Sequence, residues 1–340
     1  MKRALLLLLL LLTLLAAWGG GPEPRTFQKT TLLMDTLVAI TVVSDDEATA
    51  NDAMDSAFDT VRDIEHAISF WTKDSEIAAM GRLAGVAPVK VSPITVELVE
   101  DSLLIADKAK GAFDPTVGPL MRLWDFKKQI MPTEAQIREK LPVVGYKMVA
   151  IDKAASTVFL KKKGMAFDTG GIAKGFGVDH AVETLKAKGI RAGLVTIGGE
   201  VRAFGTKPDG TPWRVGIRNP RPKGKDDDVM AVVELNDMAI STSGDYERFI
   251  MKDGVRYHHI MDPKTGHPAR GFISVTMIAP RATLTDGYST GIFVLGPKEG
   301  LETVKREGLG CVAVFEDGKT YVTDNLAGRI EWKNAPVVAH

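Results

Sequence analysis

From residue 148 onward the chain reads as short β-branched and aromatic runs, most of them separated only by Gly-, Pro- or Asp-rich turns. The runs are 148–151, 157–160, 193–197, 201–204, 213–218, 230–235, 239–241, 256–261, 273–279 and 311–315. Strands joined by so few residues fold back on each other, because a parallel partner needs a long crossover. This excludes a doubly wound parallel sheet and predicts an α+β fold, with mainly antiparallel sheets packed against helices. Residues 36–43 alternate in the same way and add a strand near the start. The helices are equally marked. Ala50, Ala53, Met54, Ala57, Phe58, Val61, Ile64 and Ile68 form one apolar face of a helix over 45–70. Ser92-Pro93 opens another that Gly111 closes, and Thr133 with Gln136 make a capping box. Further helices are expected over 172–188, 283–293 and 298–307.

Composition narrows the chemistry. The 340 residues carry 43 Lys+Arg against 43 Asp+Glu, so nothing supplies the positive excess that nucleic acid demands. A single cysteine, Cys311, excludes a disulfide framework and cysteine-rich zinc sites, and its apolar strand predicts an inert buried thiol. The charge run from Lys223 to Asp228 reads as a solvated loop. Residues 1–20 form a leader: Lys2 and Arg3 precede an apolar run from Ala4 to Ala17, too short for the ~20 residues of a bilayer span. Leu14-Leu15-Ala16-Ala17 resembles a lipoprotein signal box, but Trp18 stands where the lipid-bearing cysteine belongs. The expectation is an exported protein, periplasmic or on the outer face of the inner membrane, attached to it only through an uncleaved leader. Residues 21–26 read as a linker, 27–334 as the body and 335–340 as a tail.

Four constellations carry candidate chemistry. Asp168-Thr-Gly-Gly-Ile-Ala-Lys-Gly-Phe-Gly joins a strand to a helix. Its bare backbone lets an anion approach the helix N-terminus, or it is simply a structural turn. In Thr285-Asp-Gly-Tyr-Ser-Thr-Gly, Asp286, Ser289 and Thr290 share one helix face. Three hard oxygens suit Mg²⁺, while the alternative is Asp286 favouring the helix start with Ser and Thr bonding back to it. In Tyr257-His-His-Ile-Met-Asp-Pro-Lys-Thr-Gly, His258 and His259 point to opposite faces of a strand, so they cannot share a metal. One of them facing a cleft is a candidate general base, with a pKa near working pH. Gly111-Ala-Phe-Asp-Pro-Thr-Val-Gly-Pro reads as a structural turn.

Taken in order, Met34-Asp-Thr, Phe113-Asp-Pro-Thr-Val-Gly-Pro-Leu, Val144-Gly-Tyr, Asp168-Thr-Gly-Gly-Ile-Ala-Lys-Gly, Ile197-Gly-Gly-Glu-Val-Arg-Ala, Ser241-Thr-Ser-Gly-Asp-Tyr, His259-Ile-Met-Asp-Pro-Lys-Thr-Gly, Ser274-Val-Thr-Met-Ile-Ala-Pro and the stretch from Asp286 to Gly296 resemble the FAD:protein FMN transferase (ApbE) family. The resemblance spans residues 27 to 315 and implies that family's fold, with a T-fold-like core in two interleaved lobes. It implies an exported enzyme that binds FAD with Mg²⁺, breaks the pyrophosphate, and moves FMN onto a threonine hydroxyl of an exported respiratory or electron-transfer protein, releasing AMP.

The resemblance also assigns roles. Asp286, Ser289, Thr290 and the Gly171 carbonyl would hold the metal. Met34, Trp71, Ala112, Phe113, Asp114 and Met261 would line the flavin or adenine pockets, with Trp71 as a stacking surface. Asp168 would accept a hydrogen bond from FAD, Lys174 would touch it, and His259 would be the base for the incoming hydroxyl. Asp35 stands where the family pattern has glycine, and its side chain is expected to crowd that position. Two other readings use the same site: a pyrophosphatase giving FMN and AMP, and a flavin-binding protein without turnover.

Overall fold

A computed structural model describes residues 23–224 and 228–333. The leader, Trp18, the tail and residues 225–227 of the 223–228 charge run lie outside the described residues. Every paired ladder among the described residues is antiparallel. The α+β expectation therefore holds.

One eight-stranded sheet organises the chain, in the order Arg25–Leu33, Thr36–Ser44, Ala192–Ile197, Glu200–Phe204, Ala239–Gly244, Phe272–Ala279, Gly310–Phe315 and Thr320–Val322. Its two faces bury different partners. On one face Val38, Ile40, Val42 and Val195 meet the helices Glu47–Ile68 and Ala173–Ala187 through Ala53, Met54, Val61, Val178 and Leu185. On the other, Val201, Ala203, Ile240 and Val312 meet Trp213, Ile217, Ala231 and Val233 of a three-stranded sheet. Period-two alternation along each central strand is what lets one sheet serve two cores.

The helix Glu47–Ile68 buries the same eight residues that the apolar pattern selects, and Asp46 caps it by accepting from the Thr49 amide at 2.8 Å. Thr133 and Gln136 form the expected capping box. The stretches 283–293 and 298–307 are the two halves of Ala282–Glu307, bent at Gly296 (φ 74°), where Pro297 cannot donate to the preceding turn. Arg25 and Thr26, read as linker, already pair with Ser44 and Val43. The strand expected over 256–261 stops at His258, so His259 to Met261 form a separate path along the cleft. Cys311 is fully buried, and burial pushes its thiol up to about 12.

Met34 and Asp35 form the two-residue turn between the first two strands, both left-handed with φ of 53° and 55°. That is the hairpin geometry matching the twist of the flanking strands. Asp tolerates the conformation better than most side chains, and Asp35, exposed, borders two lobes of the cleft beside Met34.

Candidate active site

The glycine segment and the helix carrying Asp286 are locked together by close approach. A Cβ on Gly175 would lie 2.2 Å from the Ala282 carbonyl oxygen and 2.7 Å from the Asp286 Cβ, so only glycine fits there. The contact lets Asp286 accept a 2.9 Å hydrogen bond from the Gly175 amide, in the first turn of Ala173–Ala187. Asp179, on that helix, returns the arrangement. It accepts from the Ala282 and Thr283 amides at 2.8 and 2.9 Å and from the Thr283 hydroxyl at 2.6 Å. Neither helix caps itself with its own N-cap side chain. Each start is capped by the other's carboxylate.

A three-lobed cleft opens over this junction, and Gly170 and Arg248 border all three lobes. The first lobe is lined by Trp71, Ala112, Phe113, Asp114, Asp168, Gly171, His259, Met261 and Thr290. The second runs along Met34, Trp71, Asp168 and Lys174. The third encloses about 640 Å³ and is bordered by Met34, Gly171, Lys174, Glu200, His259, Asp286 and Thr290. Of the residues expected to form the site, all but Ser289 line this cleft.

Ser289 is buried behind it. Its hydroxyl donates to the Asp286 carbonyl at 2.8 Å and lies 2.9 Å from Ser243 Oγ. Ser243 is the serine at the cleft wall, 3.2 Å from Thr290 Oγ1. Gly171 lies against Thr290, for a Cβ there would sit 3.4 Å from Thr290 Oγ1 and 3.2 Å from Phe113 Cε2. Trp71, 69% exposed, stands edge-on to Phe70 at 4.9 Å and offers a free indole face at the mouth. Asp114 contributes lining but has spent its carboxylate. It accepts from the Thr116 amide and hydroxyl at 2.8 and 2.6 Å and from the Tyr146 amide at 2.9 Å, which fixes the turn as a structural one.

Burial sets the electrostatics of the titratable side chains here. Burial pushes the Asp286 carboxyl up, opposed by the Lys174 charge and the Gly175 amide. Burial raises Asp168 too, against the Gly170 amide and Arg248. Burial by itself would lower the Lys174 ammonium, but the Glu200 and Asp286 charges outweigh it and hold it above the ordinary lysine value.

The two histidines part as the strand alternation predicts. His258 Nε2 lies 2.9 Å from the Ala269 carbonyl and its ring is edge-on to Phe293 at 5.4 Å, so it is structural. Burial lowers it to about 4. His259 faces the cleft, with a buried Nδ1 lacking any partner among the described residues. The expectation of a pKa near working pH fails: burial, then the Arg248 charge, push His259 down to about 3.

Sequence reasoning missed Arg248, Asp179, Ser243 and Glu200 as site residues. Ser243 and Glu200 sit inside motifs already singled out. Arg248 and Asp179 carry no local signal, since an arginine in a turn and an aspartate in a helix are unremarkable until the fold brings their partners.

Residues 34–315 match the ApbE family. A relative from Treponema pallidum, named FAD:protein FMN transferase, is 33% identical over 332 residues, covering 92% of this chain and 91% of its own. One of the same name from Escherichia coli K12 is 34% identical over 263 residues, 75% of this chain and 74% of its own. Among solved structures, an ApbE protein from Thermotoga maritima superposes with a TM-score of 0.82 at 34% identity, covering 88% of this chain and 98% of that one. The flavin transferase ApbE from Vibrio cholerae gives 0.79 at 30% identity, with 89% and 98% covered. With the family match spanning most of its length and these relatives above 30% identity, the chain belongs to the ApbE family.

Proposed function

We propose that this chain is an exported, Mg²⁺-dependent FAD:protein FMN transferase. It would cleave the FAD pyrophosphate, attach FMN through a phosphoester to a threonine of an exported electron-transfer protein, and release AMP. The observation that carries the reading is one cleft in which an aromatic, apolar lobe adjoins a lobe holding Asp286, Thr290, Gly171, Lys174 and His259.

The donor set fits the metal. Among the described residues no three His, Cys, Asp or Glu side chains cluster, so there is no cage for a soft ion. A buried carboxylate, a hydroxyl and a nearby backbone segment are hard oxygens, too few to complete a shell alone. That suits Mg²⁺, which keeps waters and shares phosphate oxygens. Asp286, Thr290 and the Gly171 carbonyl would hold it, with Ser289 behind them, and its charge would offset that of the pyrophosphate.

The chain's own residues supply the rest. Bare backbone at Gly170 and Gly171 lets the phosphates approach, and Lys174 and Arg248 add positive charge beside them. Trp71, Phe113 and Met261 hold the flat rings and exclude water. His259, neutral and with an unpartnered nitrogen, takes the proton from the threonine hydroxyl as its oxygen bonds to the FMN phosphorus. The bond from that phosphorus to the AMP oxygen breaks, and AMP leaves with the bonding pair.

The test incubates the purified protein with FAD, Mg²⁺ and an acceptor domain carrying the target threonine, and reads mass. A gain of FMN on that threonine, abolished by chelator, is expected. Free FMN and AMP beside an unmodified acceptor would establish the pyrophosphatase reading instead, and no AMP at all would leave a flavin-binding protein. Asp286→Asn should lower Mg²⁺-dependent AMP release by roughly 100-fold or more, beyond what loss of an outer metal partner costs.

A further inference from the structure

Glu200 opens the strand Glu200–Phe204, directly after the Gly198-Gly199 turn that joins it to Ala192–Ile197. Its side chain is buried, and its two oxygens are not equivalent. Oε1 accepts from Lys174 Nζ at 2.5 Å. Oε2 is buried and has no hydrogen-bond partner among the described residues, in a side chain that lines the third lobe. The reaction outlined above makes no use of it.

The turn beside it leaves room at the lobe. Gly198 and Gly199 have φ of 58° and 115°, and a Cβ on Gly199 would meet nothing within 4 Å. Lys174 Nζ reaches Oε1 and leaves Oε2 without a donor. Burial, followed by repulsion from Asp286, pushes the Glu200 carboxyl up to about 8, as expected of an oxygen that lacks a donor.

The missing donor has a restricted chemistry. A donor at Oε2 favours the ionised carboxylate, and phosphate and pyrophosphate oxygens, with only lone pairs and negative charge, cannot be that donor. Flavin and adenine rings are served by the aromatic lobe. What remains on the substrates is a hydroxyl.

We propose that Glu200 is a substrate-binding residue whose Oε2 accepts a hydrogen bond from a substrate hydroxyl in the third lobe, with Lys174 fixing the carboxylate through Oε1. The hydroxyl belongs either to the sugar chains of the dinucleotide or to the acceptor residue. The identity of the substrates rests on the transferase reading.

Glu200→Gln tests it. The Lys174 ammonium draws the amide oxygen to itself, which leaves NH₂ where Oε2 stood and converts an acceptor into a donor. Two quantities are read on the full chain: FAD affinity by flavin fluorescence, and the KM of the acceptor domain for FMN transfer by mass. A tenfold or larger loss in FAD affinity upholds the inference and assigns the hydroxyl to the dinucleotide. An unchanged FAD affinity with a tenfold higher acceptor KM upholds it and assigns the hydroxyl to the acceptor. Values within threefold of the unmodified protein in both arms overturn it, for the oxygen then holds only water.

Should Glu200→Gln misfold because Lys174 is left unbalanced, Glu200→Asp, which keeps the charge beside Lys174 but withdraws the carboxylate oxygens, gives the same comparison. Unmodified protein that binds FAD yet transfers nothing defeats the transferase reading. The fluorescence arm then decides the inference by itself, a tenfold loss upholding it and an unchanged affinity overturning it.

Discussion

His259 shows how far a residue's meaning depends on what surrounds it. From its neighbours in sequence it is a base with an ordinary titration. In the fold, burial and Arg248 hold it near 3, so the imidazole is neutral throughout the physiological range. The sign follows directly. A histidine lowered in this way is in its proton-accepting form above its folded pKa and loses that form only in acid. Transfer by the unmodified protein should therefore show no imidazole limb between pH 6 and 9. His259→Ala should lower kcat by about 10²–10⁴-fold across that whole range. A rate that merely follows a titration near pH 6.5 and is restored at high pH in the variant would contradict this. Asp35 makes the complementary point. Already left-handed and exposed, it holds the turn without strain at the edge of the cleft, so Asp35→Gly should leave FAD affinity within about twofold.

At the scale of elements, apolar periodicity read well because burial dictates it. Each buried position on Glu47–Ile68 was visible at its 3.6-residue spacing. The first strand, Arg25–Leu33, was not, since none of its residues is fully buried and the alternation is only partial. The exchange of caps between Ala173–Ala187 and Ala282–Glu307 was also invisible, because its partners lie over a hundred positions apart. It is nevertheless what holds the site. Gly175→Ala would drive a methyl into the Ala282 carbonyl and should cost about 1–3 kcal/mol, read as a lower urea midpoint. Asp179→Ala removes a buried carboxylate that also pairs with Arg202 at 2.9 Å, leaving two amides uncapped. It should cost about 3 kcal/mol and reduce Mg²⁺ affinity through the displaced helix start, although Asp179 does not line the cleft. A variant with full stability and unaltered metal affinity would mean the two helices hold their places without the exchange.

The whole molecule couples the site to its own stability. Motifs spread from Met34 to Gly296 named the walls of one cleft, yet no spacing could show that Asp286 lies buried beside Lys174 and within reach of Glu200's charge. Those neighbours give the protein a pH dependence its neutral composition hides. Asp286 and Glu200 both have folded pKa values above their unfolded ones, Glu200 at about 8. Carboxyls raised in this way stay protonated in the fold where the unfolded chain has already released its protons. The metal-free protein should therefore lose stability as pH rises from the ordinary carboxylate range toward 8. On the proposed function Mg²⁺ would reverse the argument, because a dication held by ionised Asp286 would favour release of the proton on nearby Glu200, whose carboxyl lies at about 8. Its apparent affinity should climb between pH 6 and pH 8, by up to about tenfold per unit for a single displaced proton. Its stabilising effect should grow in step, as the increase in melting temperature with saturating Mg²⁺ at each pH. Calorimetric titration in two buffers of different ionisation enthalpy would count the released protons. Binding that is equally tight at both pH values, with no proton released, would mean that the metal does not sit on Asp286.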